Sequence, residues 1–60
     1  MKIKLVGALP RVLKDYGFKP GQIWYAEPSL SGKYESVIIK ISVDDEVCVA
    51  TVYKENYVVV

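Results

Sequence analysis

Sixty residues with a hydrophobic fraction of 52% and seven aromatic side chains describe one ordered domain of thin stability, because a chain this short buries only about 60% of the surface its unfolded form exposes. One cysteine and no histidine exclude a disulfide framework and histidine-bearing metal sites, leaving packing or association as the means of stabilisation. The formal net charge of +1 hides an asymmetry: residues 1–20 carry Lys2, Lys4, Arg11, Lys14 and Lys19 against Asp15, and acids outnumber cations in the remainder.

In chain order, Lys2, Lys4 and Val6 alternate with Ile3 and Leu5, the period of a strand with one inward face, which predicts a first strand over residues 2–6. Gly7 ends it. Leu9, Val12, Leu13 and Tyr16 stand at i, i+3, i+4 and i+7 and predict an amphipathic helix over residues 9–16, with Pro10 in its first turn. Gly17 is placed for a left-handed C-cap, Phe18 for the apolar contact that accompanies such a cap, and Pro20 prevents resumption. Residues 22–27 read as the next strand, 28–33 as a Ser/Gly-containing loop, and 34–42 as the longest strand. Asp44-Asp45-Glu46 turns the chain into a strand over 47–53. Lys54-Glu55-Asn56 reads as a second hairpin connection with Asn56 at positive φ, pairing residues 57–60 with 47–53 and making the last strand part of the core.

The later strands are apolar on both parities. Val37, Ile39 and Ile41 point one way and Ile38 the other, while Cys48, Ala50 and Val52 lie opposite Val47, Val49, Thr51 and Tyr53. A sheet with one wet face alternates instead, so either the sheet curls into a small barrel or a partner covers its second face.

Lys19-Pro20-Gly21-Gln22-Ile23-Trp24-Tyr25-Ala26-Glu27, followed by a Ser/Gly loop and Val37-Ile38-Ile39, resembles the opening of SH3-like small barrels. In particular it is similar to the first hairpin of MazF/PemK-type endoribonucleases. The resemblance implies a barrel architecture over about twenty residues. It does not extend to the chemistry: that family's Gly-x-Arg-Pro segment supplies a catalytic arginine, whereas Gly32 here is followed by Lys33-Tyr34-Glu35-Ser36. RNA cleavage needs a cation for the developing phosphorane charge and a proton-transfer group. The fold class expected is therefore α+β, mainly β: a four- to five-stranded antiparallel sheet curled into a small SH3-like partial barrel with one short helix, in a single domain over residues 1–60.

No catalytic, metal or cofactor constellation accompanies this fold. Asp44-Asp45-Glu46 is too short for a twelve-residue calcium loop, adjacent Glu35 and Ser36 in a strand point to opposite faces, and the glycines are scattered singly. Cys48, in the middle of an apolar strand, reads as a small buried hydrophobe in a reducing compartment. Gly7, Pro10, Arg11 and Lys14 interrupt any leader-type apolar core, and no run approaches the roughly 18 apolar residues of a membrane span; a cytoplasmic location is expected.

Trp24, Tyr25, Tyr34, Tyr53 and Tyr57 fall on neighbouring strands, where they serve as core, as the hot spot of a protein interface, or as a stacking platform for bases. The function expected is a non-enzymatic binding module that joins a protein partner or itself through these residues, of the size of phage or mobile-element adaptors and inhibitors. The alternative is a nucleic-acid-binding barrel that adds Lys2, Lys4, Arg11, Lys14 and Lys19 as phosphate contacts.

Overall fold

A computed structural model describes residues 1–29 and 36–60. Among them six strands form two three-stranded antiparallel sheets with one short helix between the first two strands. The mainly-β expectation holds, but the single sheet of four or five strands does not.

The division follows from one break. Strand β1 (Lys2–Leu5) is central in a sheet ordered β2-β1-β6, between β2 (Ile23–Tyr25) and β6 (Tyr57–Val59). The second sheet is ordered β3-β4-β5, from Glu27–Pro28, Val37–Val43 and Glu46–Val52. Strands β2 and β3 are one run broken at Ala26, which is buried. Its N–H donates to the Met1 carbonyl at 2.8 Å, and its own carbonyl accepts from the chain's N-terminal ammonium at 2.8 Å. The run thus leaves one sheet and enters the other, and Pro28, which lacks a ladder donor, falls on an edge strand where that is tolerated.

The core fills the space between the sheets. Ile3 and Leu5 from β1, Val37 and Ile39 from β4, and Ala50 and Val52 from β5 meet Leu9, Leu13, Phe18 and Ala26. The predicted alternation of β1 is confirmed, with Ile3 and Leu5 fully buried and Lys2 and Lys4 exposed.

Helix α1 is shorter than its periodicity predicts. It spans Arg11–Asp15, and Pro10 is its N-cap at φ −59° and ψ 154°, outside the first turn. With Pro10 extended, Leu9 precedes the helix and the four-residue stripe splits: Leu9 and Leu13 are buried, but Val12 and Tyr16 are exposed. The C-terminal prediction holds in detail. Gly17 takes φ +90°, its N–H donates to the Lys14 carbonyl at 2.9 Å, and the N–H of buried Phe18 donates to the Leu13 carbonyl at 3.1 Å. These two bonds and the apolar anchor make a complete Schellman cap.

The β4–β5 hairpin is tighter than predicted. Val43 pairs with Glu46, so Asp44 and Asp45 alone make the turn, at φ 51° and 65°. Two successive left-handed residues match the right-handed twist of the flanking strands, yet each costs a side-chain-bearing residue about 1–2 kcal/mol. Asp45→Gly is accordingly expected to stabilise the domain by roughly 0.5 kcal/mol, the relief being partly offset by about 0.4–1 kcal/mol of unfolded-state entropy. A urea midpoint that falls or stays put would show that the aspartate side chain contributes to the turn.

The last connection corrects two expectations. Residues 54–56 are a 3-10 turn, Lys54–Asn56, and β6 pairs with β1 (Ile3 with Val59, Leu5 with Tyr57), not with β5. Asn56 does not take positive φ; among the described non-glycine residues only Asp44 and Asp45 do. Asn56 is instead buried, and its Nδ2 donates to the carbonyls of Val6 and Ala8, each at 3.1 Å. Its own carbonyl accepts from the Val6 N–H at 3.0 Å. Those bonds hold the turn to the end of β1, so the chain emerges beside β1 and not alongside β5. No described helix is long and apolar enough to cross a membrane.

Candidate functional site

Because the core lies between the sheets, every outward parity faces solvent, and much of it is apolar. On the β2-β1-β6 sheet, antiparallel register sets Lys2 beside Tyr25, and Lys4 between Ile23 and Val58. The Val60 N–H donates to the Lys2 carbonyl at 3.0 Å, which continues the row beyond β6. Tyr25 is 77% exposed, and Ile23, Val58 and Val60 are each about half exposed. On the other sheet Thr51 lies opposite Ile38, Val49 opposite Lys40, and Val47 opposite Ser42, with Val47 and Val49 exposed. The doubly apolar strands are thus explained on most of their inner parity, and the outer one is partly uncovered, with Val47 and Val49 exposed and Ile38 half-buried.

Two concavities adjoin these faces. A groove of about 290 Å³ runs between α1 and β5, lined by Pro10, Val12, Leu13 and Tyr16 on one side and by 49–51 and Tyr53 on the other. None of its lining side chains is charged. The second, about 370 Å³, lies between Met1, Tyr25 and Ala26 and the outer face of β3 and β4. Glu27 and Lys40 form an ion pair there at 3.5 Å; both side chains are more than half exposed, so its worth is small.

The five aromatic residues singled out from the sequence do not share one surface. Trp24 lies opposite Ile3 on the inner parity of β2, half-buried, with its ring edge-on to Phe18 at a centroid distance of 4.8 Å. Its Nε1 donates to Gln22 Oε1 at 3.0 Å, and the same oxygen accepts from the Lys19 N–H. Tyr25 points the opposite way. Tyr53 joins the α1–β5 groove, and Tyr57 packs half-buried against the core opposite Leu5. Tyr34 lies outside the described residues.

The basic third is dispersed in the same way. Lys2 and Lys4 share the outer face of β1, whereas Arg11 and Lys14 ride on α1 and Lys19 precedes β2. Cys48 is half-buried opposite Ile41, and no cluster of potential metal ligands occurs among the described residues. Sequence reasoning assigned Val12 and Tyr16 to the core side of the helix, although they line the groove; Pro10 was the available signal, since a helix beginning after it cannot carry Leu9 in the same stripe. Comparison of the chain with protein families, with curated proteins and with solved structures finds no match.

Proposed function

We propose that the chain is a non-enzymatic cytoplasmic binding module with the architecture of an SH3-like partial barrel, and that it engages a protein partner through its exposed apolar and aromatic surface. One observation carries this reading. Among the described residues exposed apolar side chains share faces, with Ile23, Tyr25, Val58 and Val60 on one sheet and Val47 and Val49 on the other, and an exposed apolar patch marks a surface that something else covers. The barrel architecture is supported by a strand shared between two sheets at Ala26 and by the 3-10 turn that delivers the last strand to the first.

The test compares the immobilised chain with a Tyr25→Ser, Tyr53→Ser variant of unchanged melting behaviour. The reading expects a protein captured by the unaltered chain and lost by the variant, or reversible self-association in sedimentation at micromolar concentration that the variant abolishes. A monomer that captures nothing the variant does not also capture sinks it. Incubation with RNA is expected to give no cleavage.

A further inference from the structure

We infer that the outer face of the β2-β1-β6 sheet is a docking surface for an amphipathic helix that bears carboxylates on its contact face. The inference rests on the protein-binding reading above and names the site and the partner's chemistry.

Charge points to the partner first. The outward side chains of this sheet are Lys2 and Lys4 in the centre with Ile23, Tyr25, Val58 and Val60 on either side, and there is no acid among them. Neither lysine has an ion-pair partner among the described residues, and the acid that follows Tyr25 along the same parity, Glu27, is engaged by Lys40. A covering segment must therefore be apolar at its flanks and acidic along its centre, since cations buried without partners are costly. Lysine stems suit this arrangement because they lie along apolar surface while the ammonium reaches for its partner.

Dimensions point to a helix. Three strands at a spacing of about 4.8 Å span roughly 10 Å between the outer two, which is about the diameter of one helix with its side chains. Lys2 and Lys4, two residues apart on a strand, are separated by roughly 6.8 Å; carboxylates at i and i+4 of a helix are separated by about 6 Å along its axis. Nucleic acid fits less well. The face offers two cations and one aromatic ring, and Ile23, Val58 and Val60 provide no stacking planes of the kind base recognition uses.

The experiment titrates the isotopically labelled full chain with a designed helical peptide carrying Glu at i and i+4 between leucines, and follows backbone amide shifts. A matched peptide with Lys in place of Glu and a single-stranded oligonucleotide serve as the other arms. Shifts confined to β1, β2 and β6 with the Glu peptide, weakened by salt and absent with the Lys peptide, are the expected result. Lys2→Glu with Lys4→Glu should weaken the Glu peptide roughly tenfold, about 1.4 kcal/mol, and bring the Lys peptide onto the same face. Lys2→Gln with Lys4→Gln serves if the reversal disturbs folding.

Equal binding of both peptides, or no shifts with the Glu peptide, overturns the inference. An oligonucleotide that shifts the same amides more tightly than the Glu peptide overturns it in favour of nucleic acid. Shifts that map to the α1–β5 groove overturn this placement while leaving the protein-binding reading intact.

Discussion

Leu5→Ala is expected to leave most of the population unfolded in buffer at room temperature. Leu5 is fully buried on the central strand of its sheet, on the same face as Tyr57. Truncating a buried leucine costs about 2–5 kcal/mol, from lost transfer energy and the cavity left behind. A single core of this size rarely supplies more than about 3–5 kcal/mol in all. The control is Val58→Ala, on the neighbouring strand but 46% exposed, which should change stability by no more than about 0.5 kcal/mol. Urea titration followed by Trp24 fluorescence distinguishes the two, because its ring packs on Phe18 at the core edge. A cooperative Leu5→Ala transition close to the unaltered midpoint would mean that the core collapses around the deletion.

Asn56→Asp is expected to be the more damaging of two substitutions at that position. Asn56→Ala removes the donor that serves the Val6 and Ala8 carbonyls, and the loss of two partly buried hydrogen bonds amounts to about 2 kcal/mol. Aspartate keeps the shape but, once ionised, has only acceptors to present to two carbonyl oxygens. Repulsion and the desolvation of a buried charge then add to the loss, so the order of stability at neutral pH is Asn, then Ala, then Asp. Thermal melts of the three proteins read that order directly. An aspartate variant as stable as the asparagine chain would show that the turn opens to water without consequence for β6.

These two residues also mark what the sequence discloses and what it conceals. The alternation of β1, the Gly17 cap and the β4–β5 hairpin are legible because each depends on residues within a few positions of one another. Asn56 is opaque for the opposite reason: its partners are 48 and 50 residues away, and its local context, between two β-type runs, is that of an ordinary hairpin loop. The same non-locality hid the pairing of β6 with β1 and the passage of a single run through both sheets at Ala26. For the candidate surface, the strand period alone puts Trp24 and Tyr25 on opposite faces. Which of the two lies inward is decided by the register with Ile3. The lysines of the proposed docking face were visible as a basic segment, but their apolar neighbours come from residues 23–25 and 58–60, which only the sheet brings to them.

The pairing of β1 with β6 has a consequence for how the protein is made. Ile3 joins Val59, so on the ribosome β1 gains its second neighbour only after every other described strand has been made, and closing so long a loop delays the contacts that reward it. The β4–β5 hairpin, closed by two residues, can form as soon as it clears the exit tunnel. Until then the edge of β1 that β6 later pairs stays open, and nascent chains in which β6 has not yet docked are the ones that protease and chaperone should find first.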